Sequence, residues 1–415
     1  MATSAGILVS AKPGLPAPED AKEKKHHLAN GRFANPWPSW HDIDRVAVGK
    51  WAISGFLGGQ WPKVEPGMVS VVKPQFEESR TDIKYLRATW LGHACFLVEF
   101  PGGFRALFDP VFCQRCSPVQ FMGPARYTKV PCEIEDMPIV DAVIISHAHY
   151  DHLDVTSVKR IHAKFPNAHF FVPLGNHKWF KSLGIDNCTE QDWWQDTEIN
   201  IEVKAKETAT DGETTSSLSA TISNFPCQHT AGRTLTDLNS TLWSSWGVTS
   251  GGKSVFFAGD TGYRAVPQVA EGEDDYGEKY QDLPHCKWSL MQCAACLDLG
   301  NGSDRLTRIP PGPAFKQIGD LRGPFDLGMI PIGAYSPRHF MSPMHANPYD
   351  SVNIFVDTKC KKALGMHWGT WVLTNEPILE PPEKLRDALK WKGIPEVGIF
   401  DVVATGESRV FTDEA

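Results

Sequence analysis

The 415-residue chain reads as a layered α/β protein, and three observations predict that class. Short apolar, β-branched runs alternate with segments of helical period, the order expected when helices cover sheets. Several of those runs stop at a histidine or an aspartate, so polar chemistry gathers where rigid strands open into loops. The bulk composition, 41% hydrophobic and 22% charged, is that of an ordinary soluble globular protein.

Taken in order, residues 1–30 are rich in Ala, Pro, Lys and Glu and predict a disordered tail. They contain no apolar stretch of signal-peptide type, so no secretory signal is expected. Glu19 and Asp20 weaken a mitochondrial presequence, which leaves that compartment open beside an intracellular, membrane-peripheral location. Residues 31–38 begin the ordered part as an aromatic arm carrying Phe33 and Trp37, with Trp40 just beyond. Residues 83–100 predict two strands broken at Leu91-Gly92-His93, and 105–110 a strand ending in a turn. Residues 139–146 predict a buried strand. A helix follows over 155–165 with Val158 and Ile161 on one face, then a strand over 169–172 and a short helix over 176–183. The strand 220–225 runs out at Gln228-His229. Residues 243–248 and 254–258 predict a hairpin around Gly251-Gly252, its second arm ending at Gly259-Asp260. Residues 264–312 break the rhythm with an acidic run (Glu271, Glu273, Asp274, Asp275) and are read as a surface insertion, dispensable for chemistry. Strand 326–332, helix 351–357, strand 362–366 ending at His367, and helix 382–392 complete the series.

The net charge of −8 argues against a general nucleic-acid binder. No run of 18 apolar residues is present, so no membrane-spanning helix is expected. Ten cysteines in this length do not resemble a secreted disulfide framework. The pairs Cys113/Cys116 and Cys293/Cys296 have zinc-knuckle spacing but lie far apart, which favours free thiols over a structural zinc site. Fourteen tryptophans fit core packing, with some available to a lipid interface.

The most informative stretch is His147-Ala-His149-Tyr-Asp151-His152, three imidazoles and a carboxylate in six residues. A lone histidine is more often a satisfied structural residue, but this density is not expected by chance. Imidazole nitrogen and carboxylate oxygen suit zinc or a similar metal. Alternation along extended backbone puts His147 and His149 on one side, while Asp151 and His152 turn towards another point, which suggests two metals. His229, Asp260 and His367 each end an apolar strand and extend the set. Ligands from 147 to 367 must converge, so 31–415 is read as one catalytic domain although the length permits more.

This order of HxHxDH, then His, Asp and His, resembles the metallo-β-lactamase superfamily. Asn35-Pro36-Trp37-Pro38, Trp90-Leu91-Gly92-His93-Ala94, Phe171-Val172-Pro173-Leu174-Gly175, Ala258-Gly259-Asp260-Thr261-Gly262-Tyr263, Ile330-Pro331-Ile332-Gly333-Ala334-Tyr335 and His367-Trp368-Gly369-Thr370 resemble its N-acylphosphatidylethanolamine-hydrolysing phospholipase D branch. The similarity covers about residues 30–410 apart from the insertion. It implies a four-layer αβ/βα sandwich with the metals at one edge. It also implies one zinc on His147, His149 and His229, a second on Asp151, His152 and His367, and Asp260 between them. The implied catalytic residues are Asp151, Asp260 and His345, the last touching substrate or handing a proton to the leaving group. Asp154 is expected to orient a ligand histidine, and His93 to buttress the site. The implied substrate is a phospholipid met at a membrane surface without a spanning helix, through Phe33, Trp37, Trp40 and residues 176–183. The resemblance leaves a homodimer open. The competing readings are a lactonase, thioesterase or nuclease on the same fold, and a catalytically silent membrane scaffold.

Overall fold

A computed structural model describes residues 3–37, 39–40, 42, 45–58, 61–80, 82–206, 213–234, 236–266, 275–276 and 314–412. Two mixed sheets face each other. The seven-stranded sheet is built from β2 (Leu86–Gly92), β3 (Cys95–Glu99), β4 (Arg105–Phe108), β5 (Ala142–Ile144), β6 (His169–Pro173), β7 (Cys188–Gln191) and β15 (Ser408–Phe411), in the order β15-β2-β3-β4-β5-β6-β7. The eight-stranded sheet runs through β1 (Thr3–Ala11), β8 (Asp196–Lys206), β9 (Glu213–Phe225), β10 (Ser245–Ser250), β11 (Lys253–Phe257), β12 (Leu327–Pro331), β13 (Ala363–Met366) and β14 (Phe400–Asp401) in that order. Helices α1 (Arg45–Gly58), α2 (Val155–Lys164), α3 (His177–Ser182), α4 (Ala314–Arg322), α5 (Arg338–Met341), α6 (Pro348–Asp357) and α7 (Glu380–Lys392) accompany them. This is the expected αβ/βα sandwich.

The strands from β2 to β6 are buried on nearly every residue, which explains their largely apolar composition. One large core lies between the sheets and includes Trp90, Trp243, Trp246, Phe108, Phe171 and Phe257. A second core lies between the outer face of the seven-stranded sheet and α2, with Val143, Ile145, Val158, Ile161 and Phe180. Helix α2 starts on Asp154, whose side chain accepts from the Ser157 amide at 2.7 Å. The hairpin β10–β11 turns on Gly251 and Gly252, both with positive φ; a Cβ on Gly251 would lie 2.0 Å from the Pro101 carbonyl oxygen.

The tail expectation over 1–30 is corrected. β1 pairs antiparallel with β8 along its whole length, and the apolar Ile7 and Val9 pack against the core. Pro and Lys dominate the composition after residue 11 and mask a strand that finds its partner only through tertiary pairing. Most of the insertion lies outside the described residues. Asp275 and Tyr276 are described and are buried, so the excursion is not wholly solvated. Asp275 meets Arg338 at 2.9 Å and Arg264 at 3.3 Å, and Arg338 also reaches Asp350 at 2.7 Å. Among the described residues no helix is long and apolar enough to cross a membrane.

Candidate metal centre

Every predicted ligand lies just beyond the C-terminal end of a strand at one edge of the sandwich. His147, His149, Asp151 and His152 follow β5. His229 follows β9, Asp260 follows β11, and His367 follows β13. Each sheet therefore contributes part of the set. Gly259 (φ 60°) lets the end of β11 approach the opposite sheet, since a Cβ there would stand 2.7 Å from that of Ser146.

Asp260 is the geometric centre. Its Oδ2 lies 3.0 Å from His367 Nε2, 3.1 Å from His152 Nε2, 3.8 Å from His229 Nε2 and 3.9 Å from His147 Nε2. The donor atoms form four overlapping groups within metal-sharing reach: His147, His149 and His229; Asp151, His152, His367 and His93; His147, His152 and Asp260; and His229, Asp260 and His345. His149 joins the first through Nδ1, which is 2.9 Å from His147 Nε2 and 3.3 Å from His229 Nε2. Most of these side chains are buried, while Asp151 and His345 keep 16% and 13% exposure and open the centre to solvent.

Metal fit can be judged from which atoms lack partners. The buried His152 Nε2, both ring nitrogens of His367, Asp260 Oδ1 and His345 Nδ1 make no hydrogen bond. Unpaired buried polar atoms cost about 1–3 kcal/mol each, and several aimed at one point need a shared partner. The opposite ring nitrogens are held. His152 Nδ1 meets Asp109 Oδ2 at 2.7 Å, His229 Nδ1 donates to the Met344 carbonyl at 3.0 Å, and His147 Nδ1 meets Ser146 Oγ at 2.9 Å. Each of these contacts leaves Nε2 as the free lone pair, as ligation requires.

Electrostatics agree. Burial pushes Asp260 up, but the His152 and His367 rings outweigh it and hold the carboxyl well below its usual range. Asp151 is lowered in the same way, against burial, by His152, His367 and His93. Burial opposes protonation of His367, but Asp260 and Asp151 outweigh it and lift it to about 9. His152 is lifted well above its usual value by Asp260, Asp151 and Asp109 against the same opposition. His147 and His229 are pushed well down, by burial first. A divalent cation bound here would have to displace protons from His152 and His367.

The family model described as "Beta-lactamase superfamily domain" matches residues 105–281. The N-acyl-phosphatidylethanolamine-hydrolyzing phospholipase D 1 of Caenorhabditis elegans is 36% identical over 310 residues, which is 73% of this chain and 70% of the worm protein. The chain belongs to this phospholipase D family of the metallo-β-lactamase superfamily. The mitochondrial enzyme of the same name from Saccharomyces cerevisiae is 30% identical over 320 residues, 75% of this chain and 54% of the yeast protein. An uncharacterized protein of Mycobacterium tuberculosis is 31% identical over 311 residues, 74% of this chain and 64% of its own length. This is a family of metal-dependent hydrolases, and the clustered His and Asp donors are suited to divalent metal.

Within that phospholipase D family framework, the structure brings His147, His149, Asp151, His152, His229, Asp260 and His367 together. His345 joins them, its Nδ1 3.9 Å from Asp260 Oδ2 and its ring centroid 5.2 Å from that of His229. His93 stands against the site: its Nε2 is 3.1 Å from Asp151 Oδ2, and its carbonyl accepts from the His367 amide at 3.0 Å. Asp154 does not orient a histidine; it caps α2. Asp109 contacts His152 instead, and it also accepts from the Ser146 amide at 2.7 Å and hydroxyl at 2.5 Å. Its signal was present, since Asp109 ends an apolar strand just as Asp260 does. Two further residues brace the ligands. Arg233 donates to the carbonyls of Ala148 at 3.0 Å, within the ligand loop, and Leu153 at 2.6 Å, just after it. The Asn35 side chain donates to the His229 carbonyl at 2.7 Å and accepts from its amide at 3.2 Å.

Cys113 and Cys116 are free thiols; Cys293 and Cys296 lie outside the described residues. Phe33 and Phe180 are core residues, and Trp37 stacks on Trp193 at 5.8 Å, so much of the surface expected to face lipid is used for packing.

Proposed function

We propose that this protein is a zinc-dependent phosphodiesterase of the phospholipase D type, which converts N-acylphosphatidylethanolamine to N-acylethanolamine and phosphatidic acid. The observation that carries the reading is the convergence of His147, His149, Asp151, His152, His229, Asp260 and His367 on one solvent-open point. His147, His149 and His229 would hold one zinc, Asp151, His152 and His367 a second, with Asp260 between them. When bound there, two cations would lower the pKa of a water and neutralise charge on the phosphoryl oxygens. Asp260 would offset their mutual repulsion, and Asp109 fixes the His152 tautomer. The reaction takes in one water, breaks the bond from phosphorus to the ethanolamine oxygen, and releases one alcohol and one phosphate monoester.

The departing alkoxide needs a proton, which water supplies. Burial holds His345 down to about 4, so the ring is neutral at pH 7 and is assigned a contact with the substrate.

A small recess beside His367 is lined by Tyr127, Trp368, Trp371, Leu373, Glu376 and Ile378. Phe121 and Met122, 81% and 65% exposed, project from the loop before Arg126, whose guanidinium lies 4.4 Å above the Trp371 ring. We assign them the peripheral contact with the bilayer. Phe121→Ser/Met122→Ser should reduce co-sedimentation with phosphatidylethanolamine vesicles; unchanged sedimentation removes that assignment. A mitochondrial location rests on the yeast relative's name, and cell fractionation tests it.

The deciding experiment pairs elemental analysis with turnover of N-acylphosphatidylethanolamine, a lactone, a thioester and DNA. About two zinc ions per chain and equimolar N-acylethanolamine and phosphatidic acid are expected. Turnover of the thioester or lactone without the lipid would replace this reading with another hydrolase of the same fold.

A further inference from the structure

We infer that His26, His27 and Asp192 form a second, peripheral site for one divalent transition-metal ion, sharing no residue with the centre above. His26 Nε2 is 2.7 Å from Asp192 Oδ1, and His27 Nε2 is 2.9 Å from Asp192 Oδ2. All three donor atoms lie within 4.8 Å of one another. The two rings are adjacent in sequence yet meet edge to face at 70°, with centroids 4.4 Å apart. Their nitrogens therefore approach one carboxylate from different directions.

Two of the three ligands are rigidly held. Asp192 is buried between β7 and β8, and its Oδ1 accepts from the Trp193 amide at 2.9 Å. The buried His26 ring stacks on the Trp193 indole at 4.1 Å. His27 lies on the outer side with about a third of its side chain exposed, which leaves a direction open for water to complete the coordination. Two imidazoles and one carboxylate are a borderline donor set that takes zinc in preference to calcium or magnesium.

Lys24 distinguishes a metal site from a simple ion cluster. Its Nζ lies 3.0 Å from Asp192 Oδ2 on a half-exposed side chain. In an ion cluster the ammonium is a supporting partner; in a metal site it competes with the cation for the same oxygen. An occupied site would pin the N-terminal arm, which continues to Asn35 and the backbone of His229.

The test uses the purified holoprotein, equilibrated with micromolar Zn2+ and assayed for zinc per chain, with calorimetric titration of Zn2+ alone. Wild type should hold one equivalent more than His27→Gln and His26→Gln, and both variants should retain lipid turnover. Lys24→Met should keep that equivalent and bind it about two- to fivefold tighter, the range of an exposed ion pair. Equal zinc content in wild type and His27→Gln, which alters an outward-facing side chain, would overturn the inference. So would weaker or unchanged zinc binding by Lys24→Met, whether or not the histidine variants fold.

Discussion

Asp109→Asn is the sharpest perturbation the centre offers, because it keeps shape and changes only charge and one donor pattern. Asp109 sits at φ 36°, in the left-handed region that Asn tolerates as well as Asp, so the backbone gives no reason for misfolding. One oxygen can still accept from the Ser146 amide. The other position, which faces His152 Nδ1 at 2.7 Å, becomes an amide N–H. Two donors then point at each other unless His152 switches tautomer. That switch places a proton on Nε2, the atom 3.1 Å from Asp260 and 3.4 Å from Asp151. Losing one charge-assisted hydrogen bond of about 1.5–3 kcal/mol corresponds to roughly a ten- to hundredfold loss of metal affinity on the His152 side. Competition with a chelator, followed by kcat/KM on the lipid, measures both effects. Near-ultraviolet circular dichroism should stay native. Wild-type metal affinity and turnover in this variant would refute the tautomer argument.

Asp260→Asn should lower turnover by at least about a thousandfold, on the order of 4 kcal/mol, while the thermal transition remains cooperative; steady-state kinetics and elemental analysis check it. Arg338→Met leaves the buried Asp275 and Asp350 carboxylates sharing Arg264 alone and should cost about 3 kcal/mol in urea unfolding. The same variant should impair turnover beyond its effect on stability, because Arg338 also donates to the His345 carbonyl at 3.3 Å. Burial holds His169 down to about 4, so the folded state resists its protonation. Its stabilising contribution is full above the unfolded value near 6.5 and is lost as pH falls towards 4. Thermal melts at several pH values should therefore show His169→Gln losing less stability than wild type over that interval.

The ligands were legible in the sequence because each stands at the end of an apolar run, and strand ends are where this sandwich places its chemistry. Asp109 obeys the same rule, but its contact with His152 depends on β4 lying parallel to β5, with Phe108 beside Ile144. Spacing along the chain does not reveal that adjacency. Asp154 illustrates the converse: close in sequence to the ligand loop, it serves the following helix. The alternating Ile199, Ile201 and Val203 of β8 carry a clear strand pattern, whereas β1 depends on β8 for its pairing. Exposure of the aromatics was the least readable property. Phe33 and Phe121 are alike as residues, yet one is in the core and the other at the surface.

The division of the ligands between two sheets bears on when the centre can form during synthesis. His147 to His152 emerge with the seven-stranded sheet, whereas Asp260 and His367 come with strands of the other sheet far downstream. Even the seven-stranded sheet acquires its edge strand β15 only after β13 has been made. A nascent chain thus carries a dense histidine loop without Asp260, open to adventitious metal capture. Selection of a divalent metal would be deferred until the halves dock, and metal loading would then report on completed folding rather than initiate it.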